Sequence, residues 1–278
     1  MKRRAFLASS LILASGCGLR PFLGFQPFHF IQMADPQLGF SADGNGLDFG
    51  AETLILEKVM TGINRMRPSP AFAMVCGDLT HITGHAGQIA EYQRLVRMIN
   101  PDIRVYCLPG NHDFALTQES LDQYRKTFGP DRYAFTLHGW RFIALNSTLI
   151  QAPGKIPSET ASQTEWLRKT LSEAGPSRFR GIVVFMHHPF TENDIRGNTP
   201  DALRRSYLDL FAEHKVTAVF SGHTHRTVPE DSYGGVRLIN TNGLCRSFDN
   251  NPGLRVVQVA SDRIDHQFHA SDRLPEKV

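Results

Sequence analysis

Five short polar stretches carry residue types that bind metals or move protons, and each directly follows a run of branched apolar residues. They are Asp35-Pro36-Gln37, Gly77-Asp78, Gly110-Asn111-His112-Asp113, His187-His188-Pro189 and Gly222-His223-Thr224-His225. Carboxylates, carboxamides and imidazoles are the usual donors to divalent cations. Each stretch alone has a plain explanation. An Asp after a strand ordinarily caps a helix or makes a turn, Asn111 alone is a turn residue, and His187 alone is a satisfied core histidine. His223 and His225, two apart on extended chain, point the same way, as paired surface histidines also do. Their joint occurrence at strand ends, with glycines where the backbone must turn sharply, points instead to one metal-dependent site.

Such convergence needs a particular scaffold. In an open α/β sheet the loops after the carboxyl ends of parallel strands meet at one crevice, so residues distant in sequence become neighbours there. The periodicity fits. FHFIQMA, AFAMVCG and IRVYCLPG read as buried strands, separated by GAETLILEKVMTGINRM and GQIAEYQRLVRMIN at helical spacing, which predicts βαβ units and a parallel sheet. SLDQYRKTF reads as a shorter helix. RYAFTLHG and WRFIALNS read as a hairpin around His138-Gly139, followed by a helix over ETASQTEWLRKTLSEA, a buried strand in RGIVVFMHHP, a helix over DALRRSYLDLFAEHK and a strand in VTAVFSG. VRLINTNG, LRVVQVAS and RIDHQFHA follow without intervening helices and predict an antiparallel edge or a second sheet. The pattern fits one domain with two sheets and helices outside them.

The chain has 278 residues, 41% of them hydrophobic, enough for a substantial core. Its formal charge of +3 equals the contribution of Lys2, Arg3 and Arg4, so nothing in the charge balance points to a nucleic-acid partner. MKRRAFLASSLILASGCG places a basic cluster before a short apolar run ending in small residues, the pattern of an export signal and too short to span a bilayer stably. Arg3-Arg4 is similar to a twin-arginine signal, and Leu13-Ala14-Ser15-Gly16-Cys17 to a bacterial lipobox in which Cys17 is lipidated and anchors the chain to a membrane. Residues 1–24 are thus read as leader and tether and 25–278 as the domain, exported to a bacterial periplasm or cell surface. An ordinary secretory signal and a cytoplasmic protein are the alternatives. Cys76, Cys107 and Cys245 are an odd set, read as small buried hydrophobes rather than a disulfide framework.

D-x-Q, GD, GNHD, a strand-terminal His and GHTH, in this order, resemble the signature of the calcineurin-like metallophosphoesterase superfamily over nearly all of residues 25–278. ADPQLGF, VCGDLTH, LNS, the helix with Gln163 and Trp166-Leu167, VFSGHTHR and GLRVVQV are most similar to the calcineurin-like phosphoesterase-domain serine/threonine phosphatases. The resemblance implies a four-layer α/β/β/α sandwich holding two divalent metal ions. By position, Asp78 would bridge them, Asp35, Gln37 and His225 would complete the first site, and Asn111, His187 and His223 the second. His187 is the ligand rather than His188 because it directly follows the apolar strand and keeps the family's spacing to Pro189. His188 would then face the substrate mouth.

The implied chemistry is hydrolysis of a phosphoester by a hydroxide held between cations ~3.5–4 Å apart, with no side-chain nucleophile. The absence of a nucleophile elbow or P-loop agrees with that. His112 would stabilise the departing alkoxide, with Asp113 as its orienting partner. Gln37 stands where the superfamily more often has histidine; its harder, neutral oxygen leans the first site toward Mn, Mg or Fe and toward weaker binding, and the identity of the two metals stays open among Mn, Fe, Zn and Mg. Arg226 and Arg246 are candidates for bidentate contact with a phosphoryl group, and Phe190 with the loop TENDIRGNTP for lining or covering the pocket. His81, His85 and His214 carry no functional reading. The expected activity is phosphomonoesterase, protein phosphoserine and phosphothreonine included. A phosphodiesterase acting on nucleotides and a non-catalytic binding module of the same fold are the competing readings.

Overall fold

The computed structural model describes residues 25–40, 46–174, 178–191, 199–245, 248 and 250–278. The leader with Arg3, Arg4 and Cys17, the loop residues 192–198 and Arg246 lie outside the described residues. No helix among the described residues is long and apolar enough to cross a membrane.

Strands β1 (Phe28–Met33), β2 (Phe72–Cys76) and β3 (Arg104–Leu108) pair in parallel, connected by helices α1 (Gly50–Arg65) and α2 (Ala86–Val96). Helix α3 (Gln118–Phe128) leads to the hairpin of β4 (Tyr133–Leu137) and β5 (Trp140–Ala144). Its turn is the predicted His138-Gly139, both at positive φ (47° and 84°), as a tight two-residue hairpin requires. A short helix α4 (Ser147–Gln151), α5 (Pro157–Glu173), β6 (Gly181–Phe185), α6 (Asp201–Glu213) and β7 (Ala218–Ser221) follow. Strand β8 (Asp231–Tyr233) forms a hairpin with β9 (Val236–Asn240), which pairs in parallel with β7. The chain then returns to the first sheet as the antiparallel pair β10 (Gly253–Val259) and β11 (Ile264–Ala270), with β10 antiparallel to β1.

The sheet orders are β11-β10-β1-β2-β3 and β4-β5-β6-β7-β9-β8. The three closely spaced C-terminal strands therefore divide: β9 extends the second sheet in parallel, and only β10 and β11 form the expected antiparallel edge.

Strand alternation builds the layers. Phe30 of β1 points into the core between the sheets, whereas Ile31 and Met33 point into the outer core with Leu56, Val59 and Leu95 of α1 and α2. On β6, Val183 and Phe185 face inward, and Ile182 and Val184 face Leu167 and Phe211 of α5 and α6. The result is the α/β/β/α sandwich. Phe30 stacks on Phe72 at 4.7 Å and meets Phe142, Phe185 and Phe220 edge-on at 5.7, 5.6 and 6.0 Å. Burying each ring stabilises by about 1.5–3 kcal/mol, and the edge-on geometry adds further attraction.

This dry core fixes the two sheets against each other. Their strand ends are also tied by polar contacts: Gln32 on β1 bonds to the Ser221 carbonyl and to the Thr241 hydroxyl, Leu244 N donates to the Ala34 carbonyl, and Cys245 N to the Asp35 carbonyl. The loops that carry the polar stretches meet at one rim.

Candidate metal centre

Two donor groups assemble at that rim. Asp35, Asp78 and His225 place one ligand atom each within 4.8 Å of one another, and so do His187, His188 and His223. In the first group, His225 Nε2 is 3.3 Å from Asp35 Oδ1. In the second, His187 Nε2 is 3.1 Å from both Asn111 Oδ1 and His223 Nδ1, and 3.4 Å from Asp78 Oδ2. Asp78 thus belongs to the first group and touches the second, the position a bridging carboxylate needs.

The backbone is forced into place here. Asp35, Gln37, Asp78, His223 and His225 all adopt left-handed φ, between 31° and 76°. Such conformations destabilise a non-glycine residue by about 1–2 kcal/mol each, and they concentrate at functional sites. Gly110 and Gly222 allow the close approach. A Cβ on Gly110 would lie 2.1 Å from Asp78 Oδ1, and one on Gly222 would lie 2.5 Å from Asp35 Oδ2.

The donor set fits cations. Asp35 is fully buried and its Oδ1 has no hydrogen-bond partner among the described residues, while its Oδ2 accepts from the His223 amide at 2.8 Å. The ion-pair contacts of Asp35 and Asp78 among the described residues are to histidines. Two buried carboxylates so placed need positive charge to offset their desolvation. His187 Nδ1 lies 2.9 Å from the Cys76 carbonyl and must donate to it, so Nε2 is the atom presented to the site. Burial opposes charge on His187, but the Asp78 and Asp35 carboxylates push it up to about 9, which reflects how strongly they favour positive charge at that point. Burial likewise opposes charge on Asp78, yet His187 and His112 hold it below the usual carboxylate range. His223 is lowered to about 4 by burial and by His187, which keeps its lone pair available.

Gln37 is buried between His81 and Cys245, its Nε2 3.4 Å from His81 Nδ1 and its Oε1 3.9 Å from Cys245 Sγ. His112 sits beside the bridge: its amide donates to Asp78 Oδ1 at 2.9 Å, and its Nδ1 donates to the His81 carbonyl at 2.7 Å. Nε2 is therefore the ring nitrogen that this bond leaves unengaged.

Three sequence expectations need correction. Asp113 does not orient His112; its carboxylate accepts from the amides of Gly110, Leu79 and Thr80 at 2.8, 2.9 and 3.3 Å, fastening the loop after β3 to that after β2. Phe190 does not line a mouth, being buried among Tyr207 and Phe211 under α6. His81 is not a bystander, since it stacks on His112 at 4.8 Å and holds its Nδ1. His85 and His214 keep their plain reading, as N-cap of α2 and C-cap of α6.

Cys245 is more than a small buried hydrophobe: its thiol lies beside the His225 ring, 3.3 Å from Nδ1 and 4.0 Å from Nε2. No local pattern announces that contact, because it joins two loops through the fold. Cys107 is only half-buried. Arg226 lies over the Phe248 ring at 5.4 Å, and Phe248 stacks on His225, which places this guanidinium at the edge of the first site.

A calcineurin-like phosphoesterase family model matches residues 28–227. The chain belongs to this family. A serine/threonine-protein phosphatase CPPED1 from Bos taurus is 32% identical to this calcineurin-like phosphoesterase over 270 residues, covering 90% of this chain and 86% of the relative. A 3',5'-cyclic-nucleotide phosphodiesterase from Nostoc is 24% identical over 251 residues, covering 85% and 89%. Among solved structures, a dimetal phosphatase from Danio rerio matches with a TM-score of 0.64 at 14% identity, covering 88% of this chain and 96% of that one, which supports the sandwich fold. This calcineurin-like phosphoesterase is a metal-dependent hydrolase of phosphoester bonds, and its fold implies a dinuclear divalent metal centre.

Proposed function

We propose that this phosphohydrolase acts on phosphomonoesters, with phosphoserine and phosphothreonine side chains among its substrates. The observation that carries the reading is Asp78 standing between two donor groups, in a chain whose relatives over most of its length include a serine/threonine-protein phosphatase. Asp35, Gln37, Asp78 and His225 would hold one cation, and Asp78, Asn111, His187 and His223 the other. When bound, the pair supplies Lewis-acid polarisation of the phosphoryl oxygens and activation of the attacking water.

The chain's own residues do the rest. The Cys76 carbonyl holds the His187 ring through Nδ1, and the Cys245 thiol packs beside the His225 ring. Asp113 locks the loop that carries Asn111 and His112. His112, held through Nδ1 by His81, delivers a proton from Nε2 to the departing alkoxide. Arg226 is placed to meet a phosphoryl group or an acidic neighbour of it.

A phosphodiesterase is the second reading, favoured by the Nostoc relative. Turnover of an aryl phosphate monoester, its bis-aryl diester and a phosphoseryl peptide with Mn, Mg, Fe or Zn supplied separates the two: faster monoester and peptide turnover supports the proposal, and diester preference refutes it. No turnover in either class with metals bound would favour a binding module.

The N-terminal sequence supports an exported, lipid-anchored form. Replacing Arg3 and Arg4 together by lysine should abolish surface localisation by the twin-arginine route; unchanged localisation would refute that route.

A further inference from the structure

His187, His188 and His223 form a cluster of three imidazoles, which on composition alone reads as a three-nitrogen metal site. The hydrogen bonds around Ser147 say otherwise. Ser147 Oγ accepts the backbone N–H groups of His187 at 3.1 Å and His188 at 2.8 Å. Those two donors occupy both lone pairs of the hydroxyl oxygen. The third contact, 3.0 Å to His188 Nδ1, must then use the serine's own proton, with the hydroxyl donating and Nδ1 accepting. An imidazole whose Nδ1 accepts carries its proton on Nε2. A metal-bound Nε2 would demand the opposite tautomer, with Nδ1–H pointing at an oxygen that has no lone pair left.

We infer that His188 is a neutral Nε2–H hydrogen-bond donor to a phosphoryl oxygen of the bound substrate, held in that tautomer by Ser147, and is not a metal ligand. The Nε2 atom is suited to this. It is buried in a side chain only 1% exposed and has no hydrogen-bond partner among the described residues. Its ring lies 4.6 Å from that of His223 and 4.8 Å from that of His187. A buried N–H left without an acceptor is destabilising unless a ligand supplies one, and an anionic oxygen at the rim is such an acceptor.

Ser147 is itself fixed from below. Gln163 on α5 grips the preceding residue through both its amide atoms, accepting from Asn146 N at 3.0 Å and donating to the Asn146 carbonyl at 2.9 Å. Asn146 Nδ2 donates to Asp131 at 3.1 Å. The motif LNS and the distant Gln163 thus work as one positioning unit, and the tautomer is set before substrate arrives.

The inference rests on the phosphohydrolase reading for its ligand, but its test does not depend on turnover. Long-range 1H–15N correlation spectra of 15N-histidine-labelled protein loaded with diamagnetic zinc distinguish protonated from unprotonated ring nitrogens. The resonances of His188 are identified by their absence in His188→Gln and, should that variant fold poorly, in His188→Asn. The expected result is a protonated Nε2 and an unprotonated Nδ1, with the Nε2 proton shifting when inorganic phosphate is added. His188→Gln should retain the wild-type metal content and bind inorganic phosphate roughly tenfold or more weakly, as loss of a bond to a charged acceptor implies. Ser147→Ala should weaken phosphate in the same direction, and Ser147→Thr, which keeps the hydroxyl, should restore it. A proton on Nδ1, loss of a metal ion from His188→Gln, or unchanged phosphate affinity would overturn the assignment. A protein that binds phosphate through His188 yet hydrolyses no phosphoester would refute the proposed function and leave the donor assignment standing.

Discussion

The His187 imidazole lies 2.9 Å, through Nδ1, from the carbonyl of Cys76, the last residue of β2 in the opposite sheet. That single hydrogen bond joins the two halves of the sandwich and decides which nitrogen faces Asn111 and Asp78. Ligand and scaffold are coupled here, since a shift of one sheet against the other would turn the ring away from its partners.

His112 should matter in proportion to how poor the leaving group is. His112→Ala is expected to reduce kcat about 10²–10⁴-fold for an alkyl phosphate or phosphoseryl peptide. The loss should be much smaller for an aryl phosphate whose phenolate leaves without a proton. Steady-state kinetics on both substrates checks this, and equal losses would exclude a general-acid role.

Gly110→Ala should disable the site while leaving the fold recognisable. The added methyl would collide with the Asp78 backbone nitrogen and with Asp78 Oδ1, which the His112 amide holds in place. Displacing the bridge should lower metal affinity and activity together, and overpacking should destabilise by about 1–3 kcal/mol. Circular dichroism melting and metal titration of the variant measure the two effects.

Much of this arrangement was legible in the sequence because strand periodicity is local and the strand-end residues follow it directly. Asp35, Asp78, Asn111, His187, His223 and His225 could be placed at one rim from the βαβ pattern alone. His81 and Cys245 could not, since their roles come from loops that meet only after the sheets pack: His81 stacked on His112, and Cys245 beside His225. Asp113 was misjudged for a related reason. Adjacency in sequence suggested a partnership with His112, but the turn after Gly110 directs the carboxylate to backbone amides. Strand β8 has only three residues and no apolar alternation to announce it.

Glu159 should make stability acid-sensitive. Arg125 holds it bidentately at 2.8 Å on both oxygens, and Arg132 adds a contact at 3.0 Å, joining α3 to the start of α5. These guanidinium groups lower its carboxyl from an ordinary 4.5 to about 2. Because the folded-state value is depressed, the stabilisation is fully present above pH ~4.5 and is lost as pH falls through about 2. Glu159→Gln should destabilise by about 1–3 kcal/mol near neutral pH, and the difference from wild type should shrink toward pH 2. Denaturant melts at pH 7 and pH 2.5 test the sign.

The central claim is that carboxylates, carboxamides and imidazoles from both sheets hold a pair of divalent cations through Asp78. Elemental analysis of purified wild type, Asn111→Ala and Asp78→Ala, each with its hydrolytic rate, tests it most directly. The account predicts about two ions per chain in wild type, about one in Asn111→Ala, and little metal and no measurable rate in Asp78→Ala. Full metal content in Asp78→Ala, or undiminished hydrolysis by wild type stripped of metal, would contradict it.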